Sequence, residues 1–109
     1  MAHVRRDLSS GLQRCLKAGG VTVTAEIMPP RGADPSHAIA IAKSLQDHVH
    51  AINVTDGSRA VMRMSSIALC KLLLEAGLEP IMQMACRDRN RIAIQADLLG
   101  AHALGIRNI

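Results

Sequence analysis

The sequence predicts an α/β fold in which parallel strands alternate with helices. Three observations predict it. Four short apolar runs, partly β-branched and bounded by breakers, begin near residues 21, 51, 80 and 106. Their spacing of about 26 to 30 residues is that of one βα unit. The intervals carry apolar residues at the i, i+3, i+4, i+7 spacing of a single buried helix face. Strands connected in this way pair parallel, with right-handed crossovers.

Taken in order, a leading helix is expected from about Asp7 to Lys17, with Leu8, Leu12, Cys15 and Leu16 on its apolar face. Val21–Ile27 follows Gly19-Gly20, precedes Pro29-Pro30 and reads as the first strand. Ala38, Ile41, Ala42, Leu45 and Val49 predict the next helix, with Ser36 as N-cap just after Pro35. Ala51–Val54 is the second strand, closed by Thr55-Asp56-Gly57. Ile67, Cys70 and Leu74 mark a helix capped by Ser65 or Ser66 and stopped by Gly77. Pro80–Ala85 is the third strand. Ile92, Ala96, Leu99 and Ala103 form the stripe of a helix ended by Gly105, and a fourth strand opens at Ile106. Cys15 and Cys70, on apolar faces, are expected to be inert core residues.

Two architectures compete for these units: an open doubly wound sheet and a (β/α)8 barrel. The glycine-rich phosphate loop of the dinucleotide-binding open sheet is missing, because Met28-Pro29-Pro30-Arg31-Gly32 is stiff instead. A barrel needs eight units and typically about 250 residues. These 109 residues supply about three, plus the start of a fourth strand. The expectation is that residues 1–109 form the N-terminal part of a barrel in a longer protein. Such a piece would be marginally stable alone, or would associate through its exposed edges, as a homo-oligomer or with another chain.

Composition narrows the function classes. There is no Phe, Tyr or Trp, so aromatic stacking on nucleic-acid bases or on a planar cofactor is excluded for this chain. No apolar run approaches the 18 residues of a membrane span, and the first residues do not read as a secretory signal. Three cysteines without a CxxC pair fit a reducing cytoplasm. The net charge of +4 is mild for a nucleic-acid binder. However, Arg59, Arg63, Arg87, Arg89 and Arg91 crowd into residues 55–64 and 86–91. Five of the 13 basic residues thus lie within 16 positions, where an even spread would give about two.

In parallel α/β folds function collects at the carboxyl ends of the strands. That rule singles out Glu26, then Asn53, Thr55 and Asp56, then Gln83 with Cys86, Arg87 and Asp88. Glu26 interrupts an apolar strand end, and burying a carboxylate costs several kcal/mol unless it is paired or neutral. It is either paired with an arginine or held protonated in an apolar pocket, as suits a general acid near neutral pH. Thr55 and Gln83 either hydrogen-bond a planar heterocycle or cap the rim. Cys86 lacks the nearby histidine base that a nucleophile wants. His3, His37, His48, His50 and His102 are too scattered for a metal site.

The strand ends also resemble a known family. Thr24-Ala25-Glu26-Ile27-Met28-Pro29-Pro30-Arg31-Gly32 is similar to the first strand and loop of methylenetetrahydrofolate reductases, a Glu followed shortly by Pro-Pro. Ile52-Asn53-Val54-Thr55 resembles their second strand, which ends in Val-Thr. Met84-Ala85-Cys86-Arg87-Asp88 resembles their Thr-Cys-x-Asp, and Gly105-Ile106-Arg107-Asn108-Ile109 the approach to their fourth strand. The run Thr55 to Ser66 is closer to the variety of acetogens and related bacteria than to the enteric type.

The resemblance implies an FAD-containing (β/α)8 oxidoreductase of one-carbon metabolism that reduces 5,10-methylenetetrahydrofolate to 5-methyltetrahydrofolate, the methyl donor of methionine biosynthesis. Glu26 matches the catalytic Glu, which protonates the folate and opens its five-membered ring to an iminium that takes a hydride from the reduced flavin. Thr55, Asp56 and Ser58 match flavin-lining positions, Thr55 also one near the nicotinamide of NAD(P)H. In acetogen-like relatives a protein can donate the electrons instead. Gln83 stands where many members have a flavin-contacting His and is expected to meet flavin and substrate. Ala85 replaces the Thr of Thr-Cys-x-Asp, and the Gly-Asp motif that follows the fourth strand is not among these residues. Alone, they are expected neither to hold FAD tightly nor to turn over. The alternatives are a pterin- or corrinoid-linked methyltransferase barrel, and a non-catalytic barrel fragment completed by another chain.

Overall fold

The computed structural model describes residues 9–109. Its elements in order are α1 (Gly11–Ala18), β1 (Thr24–Ile27), α2 (Ser36–Leu45), β2 (Ala51–Val54), α3 (Ser66–Glu75), β3 (Pro80–Met82) and α4 (Arg91–Ala103). The strands form one parallel sheet in the order β1-β2-β3. Glu26 pairs with Asn53 and Asn53 with Ile81; Ile27 pairs with Val54 and Val54 with Met82. Alternation along the strands then sorts the faces. Ile27, Ile52, Val54 and Met82 are buried and pack with Ala38 and Ala42 of α2 and with Leu69, Cys70 and Leu73 of α3. Glu26, Asn53 and, two residues beyond Ile81, Gln83 share the opposite face, which none of the described helices covers.

The helix starts follow from capping. Ser10 accepts the Gln13 amide at 3.0 Å, Ser65 the Ala68 amide and Asn90 the Ala93 amide at 2.8 Å. At α2 the expected Ser36 cap is corrected: Ser36 is the first helical residue, and Asp34 supplies the capping oxygen to its amide and hydroxyl. Gly77 (φ +81°) and Gly105 (φ +94°) take the left-handed backbone that ends α3 and α4.

Several expectations need correction. The first strand is Thr24–Ile27, not Val21–Ile27; Val21 is solvent-exposed, although Val23 still exchanges hydrogen bonds with His50. The third ends at Met82, because the chain turns off at Gln83 toward the Arg-rich loop. Ile106–Ile109 is no ladder strand, but it lies beside β3, with Ile106 buried and the Met82 amide donating to Asn108 O. The start of the leading helix at Asp7 and Leu8 lies outside the described residues.

Helix faces also differ. α1 buries no residue, so Cys15 is not a core residue; α1 is anchored by polar contacts, Leu12 N to Glu79 Oε1 and Ser10 Oγ to Asn108. Ile41 and Val49 leave the expected α2 stripe, Ile41 being exposed and Val49 lying past the helix end. On α4 the stripe of Ile92, Ala96, Leu99 and Ala103 faces solvent, Leu99 being 74% exposed. The face turned inward carries Ala93, Ile94, Asp97 and Ala101.

Cys70 is the core cysteine. Desolvation pushes its thiol up to about 12 from the ordinary 9. A raised folded value adds stability below the unfolded pKa, and that stability is lost as pH rises through the folded one. Stability should therefore decline from about pH 9 toward 12, and Cys70→Ala should flatten the decline in urea titrations. In the native chain a thiol reagent should label exposed Cys86, half-buried Cys15 more slowly, and Cys70 only on unfolding.

Candidate active site

Three βα loops meet at the carboxyl ends of the strands. Glu26 is the last outward residue of β1 and is exposed. Its Oε2 accepts a hydrogen bond from Gln83 Nε2 at 3.2 Å, so two long side chains bridge across β2 at the rim. Below them Asn53 Nδ2 donates to Thr24 Oγ1 at 3.2 Å. No ion pair involves Glu26 among the described residues. Both expected surroundings of Glu26 are thereby corrected. It is neither paired with an arginine nor enclosed in an apolar pocket, because the face it occupies is open.

Gln83 is held from both sides of its backbone. Its amide donates to Val54 O at 3.1 Å, and its carbonyl accepts from the buried Ser66 hydroxyl at 2.7 Å. The packing of α3 on the sheet therefore fixes where the Gln83 amide meets Glu26. Thr55, one residue past β2, is buried, and its Oγ1 has no hydrogen-bond partner. Among the described residues, Arg63 Nε is the other buried side-chain polar atom without a partner.

Asp56 is occupied. Its Oδ2 accepts from Ala85 N at 2.7 Å and from Arg89 Nη1, and Arg89 also reaches Asp97 Oδ2 and Ala85 O, each at 2.9 Å. The Asp56 hydrogen bond, with Asp97 behind it, holds the Arg89 guanidinium above its ordinary range despite partial desolvation. Arg89 thus staples the loop after β3 to the end of β2 and to α4. The sequence singled out Arg89 only as part of a basic cluster. The missed signal is Asp97, an acid on an otherwise apolar inward face. Arg89→Met should leave two carboxylates without a cation and destabilise by about 2 kcal/mol, less than a fully buried pair because both acids keep some solvent contact. A urea midpoint unchanged in the variant would contradict this.

Of the other expected residues, Ser58 sits near Met28, its Oγ 3.7 Å from the Met28 sulfur. Arg87 is spent on its neighbour Asp88 at 2.9 Å in an exposed pair. Cys86 is exposed, its Sγ 4.0 Å from the Met84 carbonyl oxygen. The loop after β2 is strained: Arg59 (φ 60°, ψ 22°) and Ala60 (φ 56°) both adopt the left-handed region, at about 1 kcal/mol each. That loop folds back on the one after β1 and closes a cleft of about 500 Å³ whose walls include Glu26, Met28, Arg31, Arg59 and Arg63. The structure therefore joins Glu26 to Gln83 and sets it on one cleft with the arginines of residues 55–64, while Arg87 and Arg89 are engaged with carboxylates of their own.

A family model described as methylenetetrahydrofolate reductase matches residues 11–109. The chain belongs to the methylenetetrahydrofolate reductase family, oxidoreductases of folate metabolism. No curated protein and no solved structure gave a match.

Proposed function

We propose that this member of the family contributes the acid-bearing side of an FAD-dependent (β/α)8 enzyme that reduces 5,10-methylenetetrahydrofolate to 5-methyltetrahydrofolate in the cytoplasm. The observation that carries the reading is Glu26, an unpaired carboxyl on the open sheet face, oriented by Gln83 at the carboxyl end of β1. Three parallel strands in sequential order suit one arc of a barrel, in which that face would line the interior. In such a barrel these strands make only part of the wall, so the described residues alone are not expected to turn over.

In this reading the carboxyl of Glu26 gives its proton to a ring nitrogen of the folate, opening the five-membered ring. Gln83 keeps the carboxyl aimed across the sheet and offers its amide to the pterin edge. Closure of a barrel around the face would exclude water from the acid. FAD, when bound, supplies the hydride. Thr55, with its unsatisfied hydroxyl, fits a flavin-lining role, and Ser58 and Gln83 stand at the same rim. Asp56 would support that wall chiefly through its bonds to Arg89 and Ala85 N. The Thr55 to Ser66 run favours the acetogen-like variety, with NAD(P)H or a protein as electron donor.

The reading is tested by NMR on protein labelled with ¹³C at its Glu carboxyls, the Glu26 resonance being the one lost in Glu26→Gln. Saturation with 5-methyltetrahydrofolate should move that resonance and leave those of Glu75 and Glu79 in place. An unmoved Glu26 resonance in folate-saturated protein would remove the folate from this face.

A further inference from the structure

The rim loops after β1 and β2 are fastened to each other. The Met64 amide donates to Pro30 O at 2.8 Å, and Arg63 Nη1 donates to Pro29 O at 2.9 Å. The stiff Pro29-Pro30 pair therefore fixes one wall of the 500 Å³ cleft and carries Arg31 just beyond it. The cleft is also lined by Ser58, Arg59 and Val61, in the segment where Arg59 and Ala60 take the left-handed backbone.

The charges in this cleft are unbalanced. Among the described residues, the side chains of Arg31 and Arg59 make neither a hydrogen bond nor an ion pair. Arg63 spends one nitrogen on the Pro29 carbonyl, and its buried Nε has no partner. Glu26 is the one acid on the cleft's walls and lies beyond ion-pair distance of all three. The neighbouring loop behaves differently: Arg87 and Arg89 each have a carboxylate in contact. Uncompensated guanidiniums on a braced rim, beside a cleft of ligand size, are arranged for an external oxyanion, which they meet bidentately.

We propose that Arg31, Arg59 and Arg63 form an oxyanion subsite. It receives a carboxylate or phosphate of a ligand whose other part lies toward Glu26. The subsite deepens the folate-reductase reading and rests on it only for the ligand's identity. Two sources share the chemistry: the glutamyl carboxylates of a folate, and the phosphates of a dinucleotide.

The test titrates the chain, at low ionic strength, with two probes: γ-glutamylglutamate and inorganic pyrophosphate. Backbone and guanidinium NMR shifts give the readout. At least one probe should saturate, with shifts concentrated at Arg31, Arg59 and Arg63. The double variant Arg31→Ala/Arg59→Ala, at exposed positions that the core does not use, should weaken that binding at least tenfold. Arg91→Ala/Arg107→Ala removes the same charge elsewhere and should change it less than twofold. Preference for the glutamyl probe assigns the subsite to folate, and preference for pyrophosphate to the dinucleotide. Failure of both probes to saturate, binding that survives Arg31→Ala/Arg59→Ala, or equal losses in the two double variants would overturn the proposal. The Glu26 carboxyl resonance tests the folate reading separately, so either can fail alone.

Discussion

Glu26→Gln, made in a complete barrel enzyme that carries these residues, is expected to lower methylenetetrahydrofolate reduction by about 10³-fold, within the range of a removed general acid. The substitution keeps the side chain's size, and its carbonyl oxygen can still accept the hydrogen bond from Gln83 Nε2, but it has no acidic proton to give. Because Glu26 is exposed and unpaired, stability should change by less than about 0.5 kcal/mol. Steady-state assays together with urea unfolding check the two halves of the expectation. A variant that is slow because it is unfolded would show a displaced urea midpoint.

The largest effect on stability is expected from Leu73→Ala. Leu73 has no exposed surface and sits where α3 packs on the sheet, in one cluster with Ile52, Val54, Leu69 and Met82. Truncating it should cost about 3–4 kcal/mol, the lost transfer energy plus a cavity that the surrounding strands cannot close. Against the 5–15 kcal/mol typical of a domain, that is a large fraction. The site should feel it too, because Ser66 on the same helix holds the Gln83 carbonyl. A urea midpoint shifted by less than the equivalent of 1 kcal/mol would show that α3 does not dock as described.

Much of this arrangement was legible in the sequence because it is written locally. β2 is found at its expected residues, Ala51–Val54, where an apolar run meets an abrupt Thr-Asp-Gly stop. Ser65 caps α3 and Gly77 follows its end as expected, since capping needs only near neighbours. The rule that function gathers at strand ends selected Glu26 and Gln83, and the structure puts them in contact.

What failed was tertiary. Ile92 and Leu99 make a convincing stripe on α4, but Ala93, Ile94 and Ala101 make a second one at the same period. Periodicity alone cannot tell which stripe the sheet accepts. Asp97 on the inward stripe argues for the other one until Arg89 is seen beside it. The Asp56–Arg89 contact joins residues 33 apart, so neither loop announces it. Glu26 was read as buried because its strand neighbours are apolar. Alternation sends their side chains to the helices and its own to the uncovered face.

The account turns on one assignment: Glu26 serves the folate half of the reaction and not the electron-donor half. Rapid mixing separates them in wild-type and Glu26→Gln holoenzyme, first by following flavin reduction by donor, then flavin reoxidation by methylenetetrahydrofolate. The predicted result is a donor step within about threefold of wild type and a folate step slowed about 10³-fold. Equal slowing of both steps, or a folate step that keeps its wild-type rate, would contradict it.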